Sequence, residues 1–89
     1  MAWAIEISNQ AKKNLKQLDP QAVKRILSFL FERVAILDDP RAIGEPLKGA
    51  KLGAFWKYRV GDYRIISELK DGVLHIVVLQ IGHRKEIYK

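Results

Sequence analysis

Length, composition and charge set the first limits on this chain. Its 89 residues, 48% of them hydrophobic, are enough for one small domain, so a single domain over residues 1–89 is expected. The absence of Cys excludes disulfides, thiolate zinc sites and thiol nucleophiles. Sixteen Lys and Arg against ten Asp and Glu give a net charge of +6. This excess suits a polyanion such as nucleic acid or an acidic partner, although a basic surface can also serve solubility alone.

The same composition predicts which locations and cofactors to expect. No apolar run approaches the ~20 residues that span a bilayer, and the N-terminus lacks a signal-peptide pattern. We therefore expect a cytoplasmic protein with no membrane partner. The ten acidic residues do not cluster as a ligand set for a metal, so neither a metal nor another cofactor is expected.

The first half of the chain predicts a short strand followed by two helices. Trp3, Ile5 and Ile7 alternate as on one face of a strand, and Ser8 or Asn9 can cap the helix that follows. Asp19-Pro20 is a typical helix start, and apolar spacing extends the second helix to about Leu37. Its apolar stripe consists of Val23, Ile26, Leu27, Leu30, Val34 and Leu37.

A connector and three antiparallel strands make up the second half. In the connector, residues 38–53, Ile43 and Leu47 are expected to pack on the core while Lys48 and Lys51 stay free. The strands are Phe55–Val60, Tyr63–Leu69 and Val73–Ile81, joined by Gly61-Asp62 and by Asp71-Gly72, a type I′ turn signal. The order β-α-α-β-β-β predicts an α+β domain, with two helices packed on one face of a small, mainly antiparallel sheet.

Basic residues gather on the sheet face that the helices leave open. Alternation places Lys57 and Arg59 on that face, and Arg64 lies just beyond the hairpin, close to Arg59 across the ladder. Like charges so placed destabilise a sheet, whereas a phosphate between them would stabilise the arrangement. After Gly82 permits a sharp exit, Arg84 and Tyr88 could return toward the sheet edge. The alternative is a solvated cationic face and a terminal tail without function.

These residues carry a resemblance to a known family. Leu47-Lys48-Gly49, Trp56-Lys57-Tyr58-Arg59, Tyr63-Arg64 and the terminal segment Ile81 to Tyr88, IGHRKEIY, are similar to the RelE family of type II toxin–antitoxin systems. The resemblance implies a toxin that cleaves mRNA in the ribosomal A site. It also implies a cognate RelB-like antitoxin, partly disordered when free, which contacts the helices and the sheet face and displaces the tail. Operator DNA would be bound only through the antitoxin complex.

The resemblance also implies the roles of individual residues. The catalytic positions of the family fall on Lys57, Arg59, Arg64, Arg84 and Tyr88. We further expect four residues to contact RNA or the ribosome: Lys48, Lys51, His83 and Lys85. The second basic position is an arginine here rather than a lysine, so Arg59 can bind phosphate but hardly exchange a proton.

The implied reaction is metal-independent attack of a ribose 2′-OH on the neighbouring phosphodiester. Lys57 is the candidate base, because repulsion from nearby cations favours its neutral form. Arg59 and Arg64 would bind phosphate oxygens, and Arg84 would assist the leaving oxygen by its charge. His83 is the rival general acid.

Two other functions compete with this one. A related ParE-type toxin would bind and poison DNA gyrase without catalysis, although that group generally lacks this set of basic residues and terminal tyrosine. A plain nucleic-acid-binding module would also explain the charge. Loss of cleavage in Lys57→Ala or Arg84→Ala would distinguish the nuclease from both.

Overall fold

The computed structural model describes residues 3–47 and 55–83. Two helices pack on one face of a five-stranded mixed sheet, which confirms the expected α+β architecture. No helix within these two ranges is long and apolar enough to cross a membrane. In chain order the elements are β1 (Ala4–Ile7), α1 (Asn9–Lys16), α2 (Pro20–Phe29), a π-helical turn (Leu30–Val34), a 3₁₀ turn (Pro40–Ile43), β2 (Glu45–Pro46), β3 (Phe55–Val60), β4 (Tyr63–Lys70), a second 3₁₀ turn (Asp71–Val73) and β5 (His75–His83).

The sheet has the strand order β1-β5-β4-β3-β2. β1 pairs in parallel with β5, and the other pairs are antiparallel. The sequence did not predict β2, in which Glu45 lies opposite Lys57 and Pro46 opposite Trp56. Two residues show no alternation, and a proline argues against a strand except at a sheet edge, where β2 lies. This edge strand brings an acidic residue to the open face.

Both helices begin where the capping residues predicted. The Ser8 hydroxyl accepts a hydrogen bond from Ala11 N–H at 3.1 Å, and Asp19 Oδ1 accepts one from Ala22 N–H at 2.8 Å. The second helix does not continue regularly to Leu37, however. It changes to a π-helical turn at Leu30, where Ala35 N–H donates to Leu30 O at 2.9 Å. Apolar spacing indicates which side chains face the core, not which carbonyl each N–H reaches.

The two strand connections differ from each other. The φ of Gly61 is positive, at 60°, whereas the φ of Asp62 is not positive. This is the pattern expected of a two-residue hairpin loop with glycine first. The predicted type I′ turn at Asp71-Gly72 is wrong. Lys70 pairs with His75, four residues bridge the strands, and Leu74 takes the left-handed conformation at φ 52°. Leu74 packs against the core, and this burial compensates for a conformation that leucine rarely adopts.

Tyr58 is the core residue that fixes the connector before β2. Its hydroxyl donates a 2.8 Å hydrogen bond to the carbonyl of buried Pro40. Gly44 lies against its ring so closely that a Cβ there would be 2.9 Å from Cε1. Burial raises the pKa of Tyr58 to about 12, so the hydroxyl stays protonated as a donor. The prediction that Ile43 packs on the core is wrong, because it is 41% exposed, whereas Leu47 is half-buried.

Candidate nucleic-acid interface

The open face of the sheet carries the cations that alternation predicted for β3. Tyr58 and Val60 are buried in the core beneath the helices, so Lys57 and Arg59 lie on the opposite face. Their side chains are 21% and 61% exposed, respectively. Lys57 is therefore largely covered by its neighbours, whereas Arg59, near the hairpin, is largely open to solvent.

Arg64 joins these two residues from the neighbouring strand. It is directly opposite Arg59 in the β3–β4 ladder and opposite Gly82 in the β4–β5 ladder, so its side chain shares the open face. Arg64 is only 6% exposed, and its Nε has no hydrogen-bond partner within the described chain. Gly82, directly opposite, has no side chain. The result is a buried guanidinium on a face that already carries two other cations.

Glu45 is the residue of this face that the sequence reasoning missed. Its Oε2 lies 3.8 Å from Lys57 Nζ, and its Oε1 lies 3.7 Å from Arg59 Nε. One half-exposed carboxylate thus neutralises part of the charge of two proposed site residues. The sequence contains no clear signal for this placement, because Glu45 belongs to a connector and only the pairing of β2 with β3 brings it there.

A clamp on the connector holds β2 in position. Arg41 makes two hydrogen bonds with the Asp71 carboxylate, at 3.0 and 2.6 Å, and its guanidinium lies 5.8 Å from the Trp56 ring centroid. The hydrogen bond from Arg41 holds the pKa of Asp71 below its usual value, and the same contact raises the pKa of Arg41. Arg41 and Tyr58 together fix the segment that carries Glu45.

His83 lies on the other side of the sheet. It pairs with Tyr63 in the β4–β5 ladder, and the two rings stand nearly perpendicular with centroids 6.0 Å apart. Tyr63 is two residues from Ile65, a core residue, so both rings face the helices. The structure therefore brings Lys57, Arg59 and Arg64 together and does not bring His83 to them.

Five predicted site residues lie outside the described parts of the chain: Arg84, Tyr88, Lys48, Lys51 and Lys85. Their roles stay predictions from the sequence. Within residues 3–47 and 55–83, no group of three or more His, Asp or Glu side chains could hold a metal ion. Where Lys57, Arg59 and Arg64 come together, the described residues supply these three cations and the carboxylate of Glu45.

Comparison with known proteins identifies the family. The model of the family described as "ParE toxin of type II toxin-antitoxin system, parDE" matches residues 5–88, nearly the whole chain. The chain belongs to this family. It is a toxin of a type II toxin–antitoxin system, within the RelE/ParE superfamily.

Relatives within the superfamily agree with this assignment. Toxin RelG from Mycobacterium tuberculosis is 27% identical over 89 residues, covering 100% of this chain and 99% of RelG. Toxin RelE from the same organism is 26% identical over 87 residues, covering 98% of this chain and 87% of RelE. The expected resemblance to RelE toxins is thereby confirmed at the level of the superfamily.

A solved structure shows the same fold. One chain of the M. tuberculosis toxin–antitoxin complex RelBE2 matches with a TM-score of 0.83 and 23% identity, covering 97% of this chain and 95% of that chain. This likeness confirms the two-helix, mixed-sheet architecture of the toxin.

Proposed function

We propose that this toxin is a metal-independent endoribonuclease that cleaves mRNA in the ribosomal A site and so inhibits translation. The environment of Arg64 is the main support for this proposal. Arg64 is buried, and its Nε has no partner in the described chain. It also lies opposite Arg59, on the sheet face that carries Lys57. A phosphate is the ligand that matches this arrangement. It accepts several charge-assisted hydrogen bonds and neutralises more than one cation at once.

The cost of burying Arg64 explains why a ligand is needed. A buried charge without a partner is destabilising by several kcal/mol in a low-dielectric interior. Glu45 contacts Lys57 and Arg59, but no ion pair with Arg64 occurs among the described residues. An RNA phosphate bound at Arg64 would accept a hydrogen bond from Nε, which has no acceptor among the described residues. Such preorganised donors stabilise the additional charge of a phosphoryl transition state.

The proposed reaction transfers the phosphodiester to its own ribose. The 2′ oxygen forms a bond to phosphorus, the bond to the 5′ oxygen breaks, and the products are a 2′,3′-cyclic phosphate and a 5′-OH. Lys57 accepts the 2′ proton, while Arg59 and Arg64 bind the phosphate oxygens. Arg84 assists the departing 5′ oxygen by charge, and solvent returns the proton to it. The position of His83 on the helix face supports Arg84 over His83 in this role.

Glu45 adds a condition to the role of Lys57. Its Oε2 lies 3.8 Å from Lys57 Nζ, so the carboxylate competes with RNA for this lysine. Binding of RNA between the cations would have to weaken this contact before Lys57 could act. The Glu45 carboxylate is also a possible proton acceptor in its own right.

The proposed partners follow from the same surface. Ordering of mRNA by the ribosome would supply the alignment that three cations alone do not, so free RNA would be cut poorly. Tyr88 would stack on an unpaired base, and Lys48, Lys51 and Lys85 would contact RNA or the ribosome. A RelB-like antitoxin would neutralise the toxin, as the RelBE2 relative was crystallised in a toxin–antitoxin complex. Operator DNA would be bound through that complex.

The match to the ParE family favours a second candidate function. In this alternative the toxin binds and poisons DNA gyrase without cleaving RNA. A gyrase supercoiling assay with purified toxin would test it directly. The burial of Arg64 would then serve contact with an acidic protein surface.

Primer extension on a defined mRNA, with and without programmed ribosomes, tests the leading proposal. We expect cuts confined to the A-site codon, absent without ribosomes and lost in Lys57→Ala and Arg64→Met. Lys24→Ala is the matched control, because it removes an exposed cation of α2 on the helical side of the sheet. No cuts by folded wild-type toxin on ribosomes would overturn the nuclease and favour gyrase.

A further inference from the structure

A polar cavity lies where β4 begins and β5 ends, on the side of the sheet that faces the helices. Its volume is about 280 Å³. Asn14, Gln17 and Leu18 contribute one wall, from α1 and the turn after it. Four sheet residues contribute the other: Tyr63, Ile81, Gly82 and His83. None of the functions proposed above uses this cavity.

The sheet wall of the cavity is aromatic. The rings of Tyr63 and His83 are 6.0 Å apart between centroids and inclined at 80°. A planar group that stacks on one ring would therefore meet the edge of the other. Unpaired nucleobases are recognised in this way, by stacking on Tyr or His side chains.

The helix wall carries amides that can pair with the edge of a base. Asn14 Oδ1 accepts a 3.0 Å hydrogen bond from the Ile81 backbone N–H, which fixes the orientation of its amide. Within the described chain this amide NH₂ group donates to no other residue, and the Gln17 side chain, in the same wall, is exposed. Amides both donate and accept hydrogen bonds, as do the edges of nucleobases.

Gly82 connects this cavity to the cationic face. It lines the cavity and lies directly opposite Arg64 in the ladder. Only the glycine backbone, with no side chain, separates the two at this position. A nucleotide strand passing over this end of the sheet could place a phosphate at Arg64 and a neighbouring base in the cavity.

We propose that the cavity binds one unpaired base of the RNA whose phosphate Arg64 binds, and so determines which codons are cut. The proposal rests on the endonuclease function above. The volume of about 280 Å³ is sufficient for a single base. Stacking on Tyr63 would hold the base, and the amides of Asn14 and Gln17 would discriminate between bases by hydrogen bonding.

Titration of the ¹⁵N-labelled toxin with nucleosides tests the cavity alone. Adenosine, cytidine, guanosine and uridine have no phosphate, so the arginines contribute little to their binding. We expect saturable shifts of the Ile81 and Gly82 backbone amides and of the Asn14 and Gln17 side-chain amides. Inorganic phosphate, as a separate probe, should instead shift the backbone amides of Arg59 and Arg64.

Substitutions in the cavity test which residues bind the nucleosides. Tyr63→Leu should weaken nucleoside binding about tenfold, as expected from loss of stacking on one base. Gln17→Ala should reduce the difference in affinity between the four nucleosides. Gln10→Ala is the matched control, because Gln10 is an exposed glutamine of α1 that does not line the cavity. On ribosomes, Gln17→Ala should change the distribution of cuts among codons, and Gln10→Ala should not.

The outcomes separate this inference from the proposed nuclease. Nucleosides that shift no cavity resonance, or that shift Tyr63→Leu and wild type equally, overturn the base site even when wild-type toxin cuts mRNA. Shifts confined to the cavity support it. If the nucleosides bind there but the toxin cuts no mRNA on ribosomes, the nuclease proposal fails while the base site stands.

Discussion

Arg64 lies directly opposite Arg59 in the ladder between β3 and β4, on the sheet face away from the helices. Like charges directly opposite on a sheet destabilise it, and Arg64 is buried in addition. Neither the pairing of the two arginines nor the burial of Arg64 stabilises the free toxin. Under the proposed function the two arginines form an anion site, and an anion bound between the guanidinium groups would offset the cost of this placement.

Arg64→Met should therefore make the free toxin more stable and less active. Methionine has a similar length but no charge, and removal of a buried charge that has no ion pair among the described residues should stabilise the fold by about 1 kcal/mol or more. For a domain of this size that corresponds to a rise in Tm of roughly 4–8 °C per kcal/mol. Cleavage on ribosomes should fall by about 10²–10³-fold.

Thermal unfolding followed by circular dichroism measures the change in Tm. Primer extension measures the change in cleavage on ribosomes. Arg33→Met is the control, since Arg33 is an exposed arginine of the π-helical turn and should change neither. Destabilisation of Arg64→Met by several degrees would show that Arg64 has a structural role and would remove the main support for the phosphate site.

Glu45→Gln tests which group accepts the 2′ proton. Glutamine removes the carboxylate 3.8 Å from Lys57 Nζ and retains the side-chain shape. If Lys57 is the base, loss of this competing contact should leave the cleavage rate unchanged or raise it. Single-turnover cleavage on ribosomes at a series of pH values measures the rate.

Glu68→Gln is the matched control, because Glu68 is a half-buried acid of the same face, two positions beyond the partner of Lys57. If the cleavage rate of Glu45→Gln instead falls about 10²-fold or more at every pH, the proton acceptor is Glu45 and not Lys57.

Asp71→Asn should alter how the stability of the toxin depends on pH. Arg41 lowers the pKa of Asp71 beneath its ordinary value of 3.8, so the ion pair stabilises the fold above that value. This contribution is lost as the pH falls through the lowered pKa of the folded state. The wild type should thus be more stable than Asp71→Asn near neutrality, and the difference should disappear in strong acid.

Tm measured from about pH 2 to pH 7 for both proteins checks this difference. Because Asp71 is exposed, the difference should be small and should shrink further in high salt. Asp62→Asn, in the exposed hairpin loop, is the control. Equal pH profiles for wild type and Asp71→Asn would show that the Arg41 clamp does not stabilise the connector.

Tyr58→Phe should destabilise the toxin by about 1 kcal/mol. The change removes a 2.8 Å hydrogen bond and leaves the buried Pro40 carbonyl without its donor. Urea unfolding should show a lower midpoint with an unchanged m-value. Tyr63→Phe is the control, because the Tyr63 hydroxyl has no hydrogen bond within the described residues. Equal midpoints for the two variants would contradict an anchoring role for Tyr58.

Local sequence signals were sufficient for much of the fold. The caps at Ser8 and Asp19, the alternation around Tyr58 and the Gly61 hairpin each predicted their element, because each depends on neighbouring residues alone. The signals failed at Asp71-Gly72, where burial of Leu74 decides the turn, and at Leu30, where the helix changes its hydrogen bonding. At Leu74 packing on the core, a contact distant in the sequence, accompanies a turn that the local residues do not predict.

The candidate site, like the fold, is only partly predictable from the sequence. The common face of Lys57, Arg59 and Arg64 is predictable from the sequence, because strands have a period of two and the hairpin fixes the register. Three features instead depend on tertiary packing: the burial of Arg64, the contact of Glu45 with both β3 cations, and the orientation of His83 toward the helices with Tyr63. Burial and pairing across 12 or more residues depend on how the connector and helices pack, and no local pattern in the chain encodes that packing.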